Sequence, residues 1–214
     1  MIFDRKSLLL YIVTDRSWLG TKSLSAQVEE SIVNGATFVQ LREKNVTFEE
    51  FTAIAREIKS ICARHNVPFV INDDIDVALA VDADGVHIGQ SDISLPRARS
   101  LLGNEKIIGV SAGSLEEALN AKENGADYIG VGAIFPTSTK ENADSVSIEL
   151  LRNITECTNI PTVAIGGIGE DNISELAGSG IVGVAVISAV FAQEDIGKAT
   201  RNLKAVVKKV VSSK

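Results

Sequence analysis

Short apolar runs rich in β-branched residues recur along the whole chain. They are LLLYIVTD (8–15), FVQLREK (38–44), FVINDD (69–74), GVHIGQ (85–90), KIIGVSA (106–112), YIGVGAIF (128–135), PTVAIGGI (161–168) and GVAVISAV (183–190), eight in all. Between them lie segments with helical periodicity, such as TFEEFTAIAREIKSICARH (47–65) and SLEEALNAKENGA (114–126). Thr47 with Glu50, and Ser114 with Glu117, read as capping boxes that open two of these helices. Strands without strict apolar–polar alternation suit a parallel sheet covered on both faces. Eight strand–helix units in about 200 residues predict a (β/α)8 TIM barrel, one domain over residues 1–214. A doubly wound open sheet is the alternative. It would carry a glycine-rich turn after the first strand, and VTDRSWLG has none.

In FVQLREK the polar residues Gln40, Arg42 and Lys44 occupy every second position, so a strand aims all three the same way. They form either a solvated rim or a grip on something anionic. In this fold active sites lie at the C-terminal ends of the strands, so those ends are read together. Strand three ends in Asn72, Asp73 and Asp74, and the turn after strand four carries Gln90 and Asp92. Strand five ends at Ser111, the loop after strand six holds Thr137, Ser138, Thr139 and Lys140, and strands seven and eight end in Gly166–Gly167 and Ile187–Ser188. Arginine grips phosphate oxygens bidentately and lysine acts as a point charge, so Arg42, Lys44 and Lys140 point to phosphate. Asp73 and Asp92 are two carboxylates on adjacent strand ends, the usual protein share of a Mg²⁺ site completed by water and phosphate oxygens. Together they fit a diphosphate. The glycines after strand seven and the Ile187–Ser188 turn match the usual barrel phosphate site, with the 137–139 hydroxyls alongside. Two anionic substrates are therefore expected, one of them a diphosphate.

Composition narrows the field. Of 214 residues 45% are hydrophobic, enough for a substantial core, and the net charge is −7 with no basic block, which argues against a nucleic-acid partner. The apolar run near the N-terminus is only about seven residues before charge intervenes, so neither a signal peptide nor a membrane span is expected. Cys62 and Cys157 are far apart and form no CxxC pair or Cys/His cluster. That predicts reduced thiols, a cytoplasmic location and no zinc site. Oligomeric state is not readable.

Each feature taken singly has a plainer reading. Arg42 and Lys44 are as readily a solvated rim. The NDD run is also a turn with Asp74 as a helix N-cap, Asp92 suits the cap of the fourth helix, and the glycine pair suits a tight turn. His87, on strand four, reads as structural or supporting, and His65 as exposed at a helix end. Asp84 and Asp127 precede strands four and six, at the barrel bottom, where stability is the default role. No GxGxxG follows a strand, which excludes a dinucleotide site.

The motifs YIVTD, QLREK, INDD, DGVHIGQSD, IGVSA, DYIGVGAIFPTSTK, VAIGGI and GVAVISAVF together resemble the thiamine phosphate synthase family, in order and spacing, from about residue 10 to 192. The resemblance implies a transferase that joins 4-amino-5-hydroxymethyl-2-methylpyrimidine diphosphate to 4-methyl-5-(2-hydroxyethyl)thiazole phosphate and releases pyrophosphate. It implies that Gln40, Arg42, Lys44, Asn72, Ser111 and Lys140 hold the pyrimidine diphosphate. By the same likeness Asp73 and Asp92 bind Mg²⁺, and Thr137, Ser138, Thr139, Gly167, Ile187 and Ser188 hold the thiazole phosphate. The implied mechanism is dissociative, with Arg42, Lys44 and Lys140 stabilising the leaving group. After Lys140 the chain reads ENADSVS, where the family often has glycine or proline.

Two other readings compete. A thiazole tautomerase shares the fold and the thiazole phosphate end, but uses a histidine after strand five where this chain has Gly113. A phosphate-ligand sensor on the same barrel would bind without turnover and would not need the ionic site.

Overall fold

The computed structural model describes residues 3–137 and 145–213. Eight parallel strands close into a barrel in sequence order, β1 pairing with β8. They are β1 Leu10–Val13, β2 Phe38–Leu41, β3 Phe69–Asn72, β4 Gly85–Ile88, β5 Ile107–Ala112, β6 Tyr128–Val131, β7 Thr162–Ile165 and β8 Gly183–Val186. Each expected strand is present and shorter than its apolar run, and in every strand but β5 the last residues of the run leave the ladder at the C-terminal rim. The closed barrel replaces the open-sheet alternative.

The helices are α1 Leu24–Val33, α2 Phe48–Arg64, α3 Ile75–Ala80, α4 Leu95–Leu102, α5 Leu115–Glu123, α6 Ile148–Thr158, α7 Ser188–Phe191 and α8 Ile196–Ser212. The regular repeat breaks between β7 and β8, where the crossover is a 3-10 turn, Ile173–Leu176. Asn172 ties the preceding loop, and glycines at 178 and 180 with left-handed φ stop propagation.

The apolar residues divide into two cores. Inside the barrel, Tyr11, Val13, Phe38, Val70, Ile107, Tyr128, Val163 and Ala185 pack together over Leu8. Between strands and helices lies a larger core that includes Ile12, Val39, Leu41, Ile71 and Val86. Alternate residues of one strand thus serve both cores, which is why the strands read as unbroken apolar runs. Full burial of such a side chain stabilises by about 1.5–3 kcal/mol. In β2, Phe38 faces the inner core and Val39 and Leu41 the outer one. Period two then places Gln40 inside the barrel, where it is buried.

The Thr47–Glu50 capping box forms as expected. The second box closes differently. Ser114 Oγ accepts from the Glu117 amide, but the Glu117 carboxylate accepts from Gly113 N–H instead of the cap residue's own amide. Among the described residues no helix is long and apolar enough to cross a membrane.

Candidate active site

The strand register sets Gln40 beside Val13, Asn72 beside His87 and Ser111 beside Gly130. All are inward positions near the C-terminal rim. The Gln40 amide Nε2 donates to the Tyr11 hydroxyl. Tyr11 and Tyr128 hydroxyls lie 2.8 Å apart, Tyr128 is 3.0 Å from His87 Nδ1, and His87 Nε2 is 3.0 Å from Ser111 Oγ. Gln40 and Ser111, on strands three apart, are thereby joined by one buried polar chain. His87 holds the supporting position expected of it, and His65 is exposed at the end of α2, 3.2 Å from Glu29.

Arg42 lies just beyond the β2 ladder, half-buried, its amide donating to Thr14 Oγ1 at 3.0 Å. Lys44 is exposed. Between them Glu43 turns away and buries its side chain, 3.5 Å from Arg16, with Oε1 lacking a hydrogen-bond partner. Burial pushes the Glu43 carboxyl above its usual range, against the pull of Arg16. A cleft of about 280 Å³ opens here, lined by Asp15, Arg16, Ser17, Arg42, Glu43 and Lys44. Its lining sets three basic side chains, Arg16, Arg42 and Lys44, against the carboxyls of Asp15 and Glu43.

Asp73 is held in the left-handed region at φ 63°, its amide donating to His87 O at 2.9 Å. Non-glycine residues held there at a cleft often mark functional positions. Its carboxyl hydrogen-bonds that of Asp92. Loss of water in the crowded mouth raises the Asp73 pKa to about 6, with Asp92 adding to the rise while Asn72 and Lys44 oppose it. Asp92 does not cap α4. That N-cap is Ser94, without a side-chain bond, while Asp92 Oδ2 accepts from Gly89 N–H at 2.7 Å. Asp74 is the N-cap of α3, accepting from Val77. Among the described residues no three His, Cys, Asp or Glu side chains cluster as a metal-binding group, so Asp73 and Asp92 stand as a pair.

Across the mouth, Gly166 and Gly167 have φ of 99° and 63°. A Cβ on Gly167 would stand 2.4 Å from Pro136 O, so glycine here lets the turn after β7 close on the loop after β6. Asn172 holds that turn at both ends, donating to Gly167 O at 2.8 Å and accepting from Gly169 N–H at 2.9 Å. Ile187 and Ser188 follow β8, both half-buried, with Ser188 opening the one-turn α7. Thr137 is half-buried at the end of the described part of its loop, while Ser138, Thr139 and Lys140 lie outside the described residues.

The residues that sequence reasoning missed are Tyr11, Tyr128, Arg16, Glu43 and Asn172. The two tyrosines had one available signal, a phenol on an inward position of an otherwise apolar strand. Asp84 and Asp127 sit at the opposite rim as expected. Asp84 accepts from Phe69 N–H at 2.8 Å. Asp127 accepts from Ile108 N–H at 2.8 Å and from Arg99 at 2.7 Å.

The mouth thus carries cations, a facing carboxyl pair and glycine-built turns. Residues 10–190 match the family model described as thiamine monophosphate synthase. A thiamine-phosphate synthase of Clostridium tetani is 52% identical over 194 residues, 91% of this chain and 93% of the relative. One from Alkaliphilus oremlandii is 51% identical over 199 residues, 93% and 95% of the two chains. The solved thiamine phosphate pyrophosphorylase of Pyrococcus furiosus superposes with a TM-score of 0.90 at 42% identity, covering 97% of this chain and 99% of that one. With motifs, barrel and relatives in agreement over nearly its whole length, this chain belongs to the thiamine monophosphate synthase family.

Proposed function

We propose that the chain is a thiamine phosphate synthase. It transfers the 4-amino-2-methylpyrimidinyl-methyl group from its diphosphate to the nitrogen of 4-methyl-5-(2-hydroxyethyl)thiazole phosphate. The observation that carries this reading is the juxtaposition of Arg42, Lys44 and the Asp73–Asp92 pair around the mouth of a barrel whose inner wall ends in Gln40. Relatives at about half identity bear the same name.

Two carboxyls that face each other, with Asp92 raising the cost of ionising Asp73, are a pair a divalent cation would relieve and bind, so Asp73 and Asp92 fit Mg²⁺. When bound, Mg²⁺ would neutralise charge on the diphosphate oxygens. The protein's own residues do the rest. Gln40 meets the pyrimidine ring. Arg42 and Lys44 stabilise negative charge as the bond from the methylene carbon to the diphosphate oxygen breaks, the electron pair leaving with pyrophosphate. Asn72, Ser111 and Lys140 complete the hold on the pyrimidine diphosphate. The thiazole nitrogen then attacks the pyrimidine-stabilised methylene cation. The turns at Gly167 and Ile187–Ser188, with Thr137, Ser138 and Thr139, hold the thiazole phosphate in line. No general base is required. At Gly113 the tautomerase reading has no side chain to use. Cys62 and Cys157 are free, in keeping with a reducing cytoplasm.

The test is product formation from both phosphorylated substrates, with Mg²⁺ and with excess EDTA. Metal-dependent thiamine phosphate with stoichiometric pyrophosphate is the expected result. A folded protein that binds thiazole phosphate yet yields no product in either condition would overturn it.

A further inference from the structure

Both tyrosines of the chain and one of its two histidines lie in the buried polar chain that joins Gln40 to Ser111. Tyr11, Tyr128 and His87 are each no more than 9% exposed. The barrel makes room for them with glycine. A Cβ on Gly109 would stand 2.1 Å from Tyr128 Cζ, and one on Gly130 3.2 Å from His87 Cε1. Burial raises the pKa of both phenols well above the ordinary value, so each keeps its hydrogen. Buried polar groups must be satisfied, which constrains which atom donates at every link.

The direction follows link by link. Gln40 Nε2 donates to Tyr11. An oxygen accepting there must place its own hydrogen elsewhere, and its neighbour is Tyr128, 2.8 Å away. Tyr128 then donates to His87 Nδ1 at 3.0 Å. A neutral imidazole that accepts at Nδ1 carries its hydrogen on Nε2, which donates to Ser111 Oγ at 3.0 Å. The hydrogen of Ser111 is left for the mouth, and Gln40 Oε1 makes no hydrogen bond among the described residues. Reversing any link reverses all of them. The other self-consistent arrangement has the Nδ1–H tautomer of His87, a flipped Gln40 amide and a Ser111 hydroxyl turned inward.

We infer that the Tyr11–Tyr128–His87 chain fixes one hydrogen-bond direction across the barrel floor, so that Gln40 offers an acceptor to the pyrimidine's amino group while Ser111 offers a donor to its diphosphate. This rests on the synthase reading for the identity of the ligand. Tyr11, Tyr128 and His87 are positioning residues, and together they set base specificity. A 4-oxo pyrimidine presents the opposite pattern, an acceptor oxygen beside a ring N–H, and meets Gln40 like pole to like pole. A buried site built for one hydrogen-bond pattern rejects its reverse by a factor of order 10⁴.

The first experiment needs no variant. With only His65 and His87 present, ¹⁵N spectra of the labelled protein distinguish the ring nitrogens, and His65→Gln assigns them. His87 protonated on Nε2 is the expected result, and Nδ1–H would overturn the inference. The second compares kcat/KM for the 4-amino and 4-oxo pyrimidine diphosphates in wild type and in Tyr128→Phe. The intrinsic reactivity of each substrate cancels in the ratio between the two enzymes. Discrimination is expected to fall at least about tenfold in Tyr128→Phe, the size of one misdirected buried hydrogen bond. Equal loss of activity on both substrates would mark the chain as merely structural and overturn the inference. No product from the wild type and the amino substrate would instead sink the synthase reading and the base-reading half with it, while the tautomer would still decide the direction of the chain.

Discussion

Four aspartates stand at the two rims of this barrel, and their surroundings differ. Asp84 and Asp127, at the N-terminal rim, each accept a backbone N–H from the neighbouring strand, and Asp127 also holds Arg99. Their lone pairs are spent on the fold. At the C-terminal rim Asp73 faces Asp92, an acceptor facing an acceptor, and burial together with that neighbour raises the Asp73 pKa to about 6. The same residue type near a strand end is structural where it finds donors and chemical where it finds its own kind. Asp73 is also held in the left-handed region, a backbone cost that nothing in the packing requires of Asp84 or Asp127.

The largest way to sharpen this comparison is to truncate the upper rim. Asp73→Ala or Lys44→Ala is expected to lower turnover by about 10²–10³ or more, the scale of losing one charge-stabilising group, with an unchanged circular dichroism spectrum. Wild-type rates in both variants would remove the diphosphate assignment. The mirror experiment is Asp127→Ala. It strands the Ile108 amide and Arg99, so stability falls by about 1–3 kcal/mol in denaturant titration while kcat is kept at temperatures where the protein is folded. Loss of kcat without loss of stability would blur the two rims.

Proton linkage gives the next effect. Asp73, raised from its usual carboxylate value to about 6, binds a proton more tightly when folded than when unfolded. In the metal-free protein its contribution is fully present below about pH 4. It is lost as pH rises through about 6. Mg²⁺ competes for the ionised form, so its affinity should rise over the same window. Titrating Mg²⁺ binding at several pH values checks this, and Asp73→Asn should flatten both dependences. The smallest effect belongs far from either rim. Thr47→Ala opens the capping box of α2 and should cost about 1 kcal/mol with no change in KM.

Much of this was legible. Two cores per strand force unbroken apolar runs, so strand order and barrel closure follow from counting them. Period two sets Gln40, Arg42 and Lys44 on one face of their strand, and the closed barrel makes that face the inner one. What escaped was whatever depends on a partner distant in sequence. Tyr11 and Tyr128 were missed, since only the closed barrel sets their hydroxyls 2.8 Å apart across 117 residues. Glu43 was missed, because its pairing with Arg16 depends on how the turn after β1 folds back. Asp92 and Glu117 went to amides beside them instead of the expected cap positions, a choice made by loop geometry that spacing does not encode. Ser138, Thr139 and Lys140 lie outside the described residues, and their phosphate roles stay with the proposed function.

The glycine under Tyr128 has a consequence for redesign. Gly109 never meets solvent or substrate, yet any side chain there must displace the Tyr128 ring. It is in effect a remote control on the shape of the pocket floor. A library that varies only the residues touching the ligand would leave it untouched, whereas a paired change, a larger residue at 109 with a smaller one at 128, would move volume from one wall to the other while keeping the interior filled. Enlarging the acceptable base is therefore a problem of the barrel's interior volume, shared between neighbouring strands, before it is a problem of the mouth.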